Sequence, residues 1–326
     1  MNHSTAVQTA LEAANSAILL NSASQVSRAA KAWRRCDVLG IDTEFVRERT
    51  YHANIGLVQI SDGQTVWLVD PLVEGAIEPL RSMLDDPNIL KIVHSPSEDL
   101  EVLQYAVGAI PEPMIDTQQA CAMLGQPLQM GYHTAAERLL DVAIDKDQTR
   151  SNWCARPLRH EQLRYAALDV CLLPRMWQML QERLKESGRL EWLMEDCSKQ
   201  LSKARQPVNS EHSWQRIRGH ARLDGKSLAI LQSLASWRER EARKRNRPRG
   251  FIIPDLVLLN IARQKLDSAG DFADIDGLHP RALGRHGAQI EQRVRQVLES
   301  GRQLDVIKPL TNVQRKALAR MRSLVQ

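Results

Sequence analysis

The sequence predicts an α/β domain built on a mixed sheet, followed by an all-helical domain. Short apolar runs rich in β-branched residues alternate with helical patterns over the first 200 residues, whereas 214–300 contains only helical periodicities. The 326 residues suffice for two cores, at roughly 100–200 residues per domain. Hydrophobic residues at 43% and charged residues at 25% are ordinary for globular proteins and exclude collagen-like or disordered chains.

The predicted strands are short and lie close together early in the chain, at 17–20, 38–46, 56–60, 65–70 and 89–93. The first long strands are too near one another in sequence for helical crossovers, so the sheet is expected to mix antiparallel and parallel pairs. Helical patterns cover 24–35, 76–85, 97–108, 116–124, 132–140 and 160–186.

Composition predicts the domain boundaries. The α/β domain is expected at 1–200, and 201–213 has few large apolar residues and is predicted to be a linker. The helical domain follows at 214–300, broken at Gly and Pro positions, and 301–326 is predicted to be an amphipathic helical tail.

Charge differs between the two parts of the chain. Residues 1–200 carry 19 Lys/Arg against 27 Asp/Glu, and residues 201–326 carry 25 against 12. An acidic part suits a site that gathers cations and a basic part suits a polyanion, although solvated surface charge explains the imbalance equally well. Five scattered cysteines and the lack of a signal-peptide pattern or a membrane-length apolar run favour a cytoplasmic protein with reduced thiols.

Asp42 and Glu44 are the first candidates for a catalytic or metal-binding site. On a strand their side chains project from the same face. Two carboxylates 4 Å apart repel each other by about 4 kcal/mol at an effective dielectric near 20, so a cation is expected between them. A lone Asp-x-Glu pair, however, is more typical of an exposed strand edge with solvated acids.

Two further elements carry acids. Asp99 falls in the first turn of a helix after a strand, with Ser95 predicted as N-cap and Glu98 at the capping-box position. Tyr165 and Asp169 are spaced i, i+4, so they share a helix face. Each element alone is explained by ordinary capping or surface contacts.

Together the three elements resemble the DEDDy family of 3′→5′ exonucleases in type, order and spacing. The stretches GIDTEFVRERTY at 40–51, VHSPSEDLEVL at 93–103, DKDQTRSNWCARPL at 145–158 and YAALDVCLLP at 165–174 resemble the ribonuclease D branch of that family. The resemblance extends over most of 15–200 and implies a ribonuclease H-like fold.

The resemblance also implies roles for five residues. Asp42 would bridge two divalent ions about 3.5–4 Å apart, Glu44 and Asp169 would hold the ion with the attacking water, and Asp99 would support the other ion. Tyr165 would position that water. Carboxylate ligands without a Cys/His cluster select Mg²⁺ or Mn²⁺ over zinc.

Residues beside these motifs are candidates for binding the substrate. Thr43, Phe45, Gln59 and His94 could cradle the terminal nucleotide, although His94 is better explained as a packed or capping residue. Arg150 or Trp153 could contact the nucleic-acid strand, Trp153 by stacking on a base. Core packing explains Trp153 equally well.

The second domain resembles the helicase-and-RNase-D C-terminal (HRDC) module, on the patterns at 228–243 and 253–259. The run from 238 to 249 holds seven Lys/Arg in twelve positions. The residues predicted to contact an RNA backbone are Arg238, Arg243, Lys244, Arg245, Arg247 and Arg249, with a solvated helix face as the equal alternative. Family members can carry a second module, of which the tail at 301–326 could be the start.

The resemblance implies a 3′→5′ exoribonuclease that releases 5′-mononucleotides from RNA with a free 3′ end, transfer RNA precursors above all, without a nucleotide cofactor or a membrane. Two alternatives remain open. A DNA exonuclease would use the same acids, because the choice depends on recognition of a 2′-hydroxyl. A non-catalytic RNA-binding scaffold would have no chemical reason to keep all four acids and the tyrosine.

Overall fold

The computed structural model describes residues 3–144, 151–207, 209–267, 269–272, 275–306 and 310–325. The chain forms two compact units. The first comprises Met1–Arg47 and Ala53–Gln206, and the second comprises Glu48–His52 and Pro207–Gln326. None of the described helices is long and apolar enough to cross a membrane.

A mixed sheet forms the centre of the first unit. Its strands are β1 Ile18–Leu20, β2 Val38–Val46, β3 Asn54–Ser61, β4 Val66–Val69, β5 Leu90–Val93 and β6 Met114–Asp116. Their spatial order is β1-β4-β3-β2-β5-β6. β3 pairs antiparallel with β2 and β4, and the remaining pairs are parallel. The predicted mixed sheet is confirmed, and its antiparallel part is formed by the strands that lie closest in sequence.

Helices cover the sheet and continue to the end of the first unit. They are α1 His3–Asn15, α2 Ala23–Trp33, α3 Ile77–Leu84, α4 Ser97–Ala106, α5 Thr117–Met123, α6 Tyr132–Leu140, α7 His160–Cys171, α8 Leu173–Glu186 and α9 Leu190–Arg205. Sequence patterns missed α1, α9 and the three-residue strand β6.

The described residues of the second unit contain helices and no strand. They are α10 Gly225–Lys244, α11 Arg249–Ile252, α12 Asp255–Gln264, α13 Ala269–Phe272, α14 Pro280–Ser300 and α15 Asn312–Val325, with 3₁₀ segments at Ser210–Arg216 and His220–Arg222. α10 is the central helix, because it contacts α11, α12 and α14. The predicted order of an α/β part followed by a helical part is confirmed.

Helix α7 packs closely on the face of the sheet that carries Asp42. It contacts β2, β3 and β4, and its small pair Ala166–Ala167 is fully buried. Gly40 permits the same closeness from the strand side, because a Cβ there would lie only 3.1 Å from the Val170 carbonyl oxygen of α7. Alternate residues of a strand share a face, so Asp42 and Glu44 project towards α7 as well.

The helix predicted at 160–186 is two helices that meet at Leu172. Pro174 lies in the first turn of α8. A proline has no backbone N–H, and its ring clashes with the carbonyl four residues earlier, so a continuous helix cannot pass through this point. On the two sides of this break, α7 contacts β2, β3 and β4, whereas α8 contacts β2 and β5.

The predicted capping arrangement before Asp99 is wrong. α4 begins at Ser97 with Pro96 as its N-cap, and no side chain caps it. Ser95 instead adopts a left-handed φ of 57°, and its backbone N–H donates to Asp116 Oδ1 at 2.9 Å. Asp99 nevertheless lies in the first turn of α4, as predicted.

The predicted linker at 201–213 is largely structured. α9 continues to Arg205 and buries Leu201, and the 3₁₀ segment that begins at Ser210 buries Trp214. The stretch looked like a linker because most of its side chains are polar and exposed, and a single buried leucine gives no helical period.

Candidate active site

Three carboxylates converge where β2 meets α7. Ligand oxygens of Asp42, Glu44 and Asp169 all lie within 4.8 Å of one another. The register of β2 with β3 shifts between Glu44 and Phe45. The regular pairing that places Asp42 and Glu44 on one face therefore ends directly after Glu44.

Asp99 lies beside this group of three, and its carboxylate is held by a neighbour. The Thr43 hydroxyl donates to Asp99 Oδ1. The charge of Asp99 is the strongest of the neighbouring charges that act on Asp42. All four predicted acids therefore come together, with Asp42, Glu44 and Asp169 forming the tightest set.

Burial and repulsion by neighbouring carboxylates raise the pKa values of Asp42 and Glu44. Burial and then the neighbouring carboxylates raise the pKa of Asp42 well above its usual value. Burial, Asp169 and Asp99 raise the pKa of Glu44 from 4.5 to about 8. Among the described residues, no lysine or arginine forms an ion pair with Asp42, Glu44 or Asp99. The donor set therefore fits a divalent cation, which prefers oxygen ligands.

These pKa shifts predict how the metal-free protein responds to pH. The folded-state pKa of Glu44 lies above its ordinary value of 4.5, so between 4.5 and about 8 the folded state binds more protons than the unfolded state. Stability should then fall as pH rises through this window, by on the order of a few kcal/mol at 1.36 kcal/mol per pKa unit. Urea unfolding in chelator at about pH 5.5 and about pH 8.5 measures the difference.

A matched pair of variants assigns this effect. Glu44→Gln should flatten the pH dependence, whereas Asp37→Asn, which changes an exposed acid just before β2, should leave it unchanged. A wild-type protein equally stable at both pH values would contradict the expectation.

Tyr165 contacts the cluster through its hydroxyl. The phenol hydrogen-bonds to the Asp169 carboxylate, and burial together with the charge of Asp169 raises the pKa of Tyr165 further above its usual value. The phenol is therefore neutral over the whole physiological pH range. It can donate a hydrogen bond and orient a ligand, and it cannot serve as a base.

A pocket opens at this cluster. It is lined by Asp42, His94, Gly131, Tyr132, His133, Thr134, Tyr165, Asp169 and Leu173. His94 is held on both ring nitrogens, since Nδ1 lies 2.8 Å from Thr117 Oγ1 and Nε2 lies 2.8 Å from the Met130 carbonyl oxygen. His94 is therefore a packed residue in the wall of the pocket. His133 was not singled out from the sequence, because no spacing relates it to the other motifs.

The other residues predicted to contact the substrate differ in their burial and in their contacts. Gln59 lies opposite Asp42 across the β2–β3 pair and is fully buried, and neither polar atom of its amide has a partner among the described residues. Phe45 packs against the hydrophobic core. Trp153 is 2% exposed, and its ring lies 6.2 Å from the ring of Tyr165. This burial favours packing of Trp153 in the protein core over stacking on a base of a nucleic acid. Arg150 lies outside the described residues.

Arg156 is a functional support that sequence reasoning missed. Its guanidinium binds Asp70 with two hydrogen bonds, of 2.6 and 2.7 Å, and donates to the carbonyl oxygens of Gly56 at 2.7 Å and Trp153 at 2.8 Å. These bonds fasten the Trp153 loop to β3 and to the end of β4. Because Trp153 packs beside Tyr165, Arg156 indirectly holds one wall of the site.

Replacement of Arg156 tests this support. Arg156→Lys keeps the charge but cannot reproduce the planar fork, so we expect a loss of about 1–3 kcal/mol in the free energy of unfolding. Hydrolysis should fall severalfold as Trp153 loses its position. Chemical denaturation and a turnover assay measure the two effects, with Arg164→Lys on the exposed side of α7 as the matched control. Equal stability of the two variants would show that Arg156 does not support the Trp153 loop.

The fold and this site have counterparts among known proteins. The family model for 3′-5′ exonuclease matches residues 18–185, and that for the HRDC domain matches residues 227–294. Ribonuclease D from Pseudomonas paraeruginosa is 38% identical over 257 residues, and that from Escherichia coli is 37% identical over the same length. In both, the aligned part covers 79% of this chain and 68% of the relative. The chain belongs to the ribonuclease D family.

Solved structures agree with this assignment. The crystal structure of Escherichia coli RNase D, described as an exoribonuclease involved in structured RNA processing, has a TM-score of 0.83 at 32% identity and covers 94% of this chain and 83% of that one. The catalytic core of RRP6 from Trypanosoma brucei matches at a TM-score of 0.66 and 20% identity, which shows a common fold. The predicted family, fold class and enzyme class, a nuclease with a 3′-5′ exonuclease domain, are thereby confirmed. The alignments cover about two thirds of the curated relatives' length.

One of the basic residues predicted in the HRDC domain is placed differently by the structure. Arg238 is 3% exposed, lies 2.7 Å from Asp255, and donates to the Ile253 carbonyl oxygen at 2.8 Å. It joins α10 to the start of α12 inside the helical unit. A guanidinium with these partners is not available to a phosphate, so Arg238 is removed from the predicted RNA surface.

The other five predicted residues are at least partly exposed. Arg243 and Arg249 flank the ring of Tyr51, which belongs to the same unit, at 5.7 and 5.0 Å from its centroid. Arg249 also donates to the buried Glu239 carboxylate at 2.9 Å. Lys244, Arg245 and Arg247 are exposed, and Arg245, directly after α10, pairs with Glu241 of that helix. Lys244 and Arg247 therefore remain the best candidates for contact with a polyanion.

Proposed function

We propose that this chain is a metal-dependent 3′→5′ exoribonuclease that removes 5′-mononucleotides from RNA. One observation carries the proposal: Asp42, Glu44 and Asp169 lie together, with Asp99 and Tyr165 beside them, at a pocket in an exonuclease fold. The names of the ribonuclease D relatives support RNA as the substrate class.

Each site residue has a place in the proposed reaction. Asp42 would hold both of two Mg²⁺ or Mn²⁺ ions, Glu44 and Asp169 one of them, and Asp99 the other. When bound, such ions supply an activated water, charge relief at the phosphate and stabilisation of the leaving 3′ oxygen. The hydroxyl of Tyr165 would donate a hydrogen bond and orient the reacting groups, because the phenol stays neutral.

Transfer RNA precursors are the proposed substrates in the cell. The likeness to an exoribonuclease involved in structured RNA processing supports a structured RNA with a free 3′ end. Binding of such an RNA would combine the active site with the exposed cations of the HRDC domain, because phosphate contacts supply most of the sequence-independent affinity.

The decisive experiment compares matched 3′-labelled RNA and DNA with Mg²⁺, with Mn²⁺ and with chelator. We expect metal-dependent release of 5′-mononucleotides from RNA. Degradation of DNA alone would identify a DNA exonuclease, and the lack of release from either substrate would leave a binding scaffold.

The basic surface has its own test. The double variant Lys244→Gln/Arg247→Gln should weaken RNA binding and make the slope of log affinity against log salt shallower by about 1.4, at about 0.7 per neutralised contact with a single strand. Hydrolysis of short oligonucleotides should be unchanged. Arg34→Gln/Arg35→Gln, which removes two exposed cations after α2, is the matched control. Equal salt slopes in both double variants would exclude the proposed surface.

A further inference from the structure

His133 makes a direct contact with one of the site acids. Its Nε2 lies 2.9 Å from Asp169 Oδ1, and the side chains of His133 and Asp169 are only 13% and 12% exposed. The imidazole lines the pocket and stands edge-on to the ring of Tyr165, at 6.4 Å and 85°. Since the carboxylate oxygen is an acceptor, Nε2 must carry the hydrogen in this contact.

The fold delivers His133 to this position through its neighbour. Tyr132 begins α6, and its hydroxyl donates to the Leu168 carbonyl oxygen at 2.8 Å and accepts from the Leu172 backbone N–H at 3.4 Å. These two contacts fasten the start of α6 to α7 on both sides of Asp169. The backbone at His133 is therefore held next to α7, with the imidazole within hydrogen-bond distance of the Asp169 carboxylate.

We propose that His133 is a positioning residue that fixes the Asp169 carboxylate for metal binding. This inference rests on the proposed function. The Nε2–H group holds Oδ1, which restricts the rotation of the carboxylate that would bind the cation. His133 acts through Asp169 and is not itself a ligand, since the set of mutually close ligand atoms contains Asp42, Glu44 and Asp169 without it.

Hydrogen bonds of this kind have measurable effects on metal affinity. A group that orients a metal-binding carboxylate typically contributes about 10–100-fold to affinity. His133→Ala should therefore weaken Mn²⁺ binding by about 10-fold or more. His133→Gln should keep most of the affinity, because its amide N–H can reach the same oxygen.

The experiment measures Mn²⁺ binding to the full chain by calorimetry without RNA. Wild type, His133→Ala, His133→Gln and Glu137→Ala are compared. Glu137 is an exposed residue of α6 outside the pocket lining, so its variant controls for a general disturbance of the helix and should bind Mn²⁺ as wild type does. Thermal unfolding in chelator confirms that each variant is folded. Turnover at limiting and saturating Mn²⁺ should show a defect of His133→Ala that excess metal reduces.

Several results would overturn the inference. His133→Ala with wild-type Mn²⁺ affinity would do so, as would an increase in KM for RNA without a change in metal affinity, which would make His133 a substrate contact. A Gln variant as weak as the Ala variant would show that the hydrogen bond is not what matters. Wild-type protein that binds Mn²⁺ but degrades no RNA would reject the proposed function alone, whereas wild-type protein without Mn²⁺ affinity would reject both.

Discussion

Replacement of Asp42 by asparagine should abolish nearly all metal-dependent hydrolysis, with kcat reduced by about 10³ or more. Asp42 lies at the centre of the acidic cluster, where it interacts with Asp99, Asp169 and Glu44. A neutral amide binds a divalent cation far less well, and a loss of three orders of magnitude corresponds to about 4 kcal/mol of transition-state stabilisation. Single-turnover cleavage of 3′-labelled RNA measures the effect.

A second readout distinguishes lost chemistry from lost structure. Asp42→Asn removes one of several repelling carboxylates, so in chelator the variant should be more stable than wild type at alkaline pH. Higher stability together with lower activity is the expected signature of a ligand acid. Asp37→Asn, at an exposed position before β2, should change neither property. An Asp42→Asn variant with near wild-type turnover would invalidate the proposed site.

Replacement of Tyr165 by phenylalanine should lower kcat by about 10², because the loss of one positioned hydrogen bond at the reacting centre has an effect of this order. The ring remains and keeps its packing against Trp153. Metal affinity should fall by at most about 10-fold, since the phenol hydroxyl helps to orient the Asp169 carboxylate, which His133 continues to hold. KM for RNA should change little.

The pH profile tests the assigned role of the phenol. Because burial raises the pKa of Tyr165, a tyrosinate base is excluded, and the variant should show the same pH dependence as wild type at a lower rate. Tyr105→Phe, at an exposed tyrosine of α4, serves as the control. A changed pH profile in Tyr165→Phe, or an unchanged kcat, would contradict the orienting role.

Local patterns predicted the elements that carry the chemistry. Asp42 and Glu44 share a strand face because side chains alternate along a strand, and Tyr165 and Asp169 share a helix face because residues four apart are neighbours. Both placements depend on a single element and can be derived without the rest of the fold. The same reasoning predicted the mixed sheet from the short spacing of β2, β3 and β4.

Contacts between distant segments escaped the sequence interpretation. Arg238 belongs to a basic run but binds Asp255 and is buried, so composition alone misplaced it. Arg156 is separated from Asp70 by 86 positions, and their bidentate pair has no local signal. The Ser95 cap failed because Ser95 adopts a left-handed φ of 57° and donates its backbone N–H to Asp116 from β6.

The amino-acid sequence alone predicted the order of the two domains and the acids of the candidate site, because these depend on periodicity within single elements, and its motifs resemble the nuclease family that the comparisons show. Only the tertiary structure decided which side chains support those acids. His133 reaches Asp169 across 36 positions because Tyr132 joins α6 to α7. Such contacts depend on how helices and strands pack against one another. No periodic pattern in the sequence indicates that two residues 36 positions apart will be in contact.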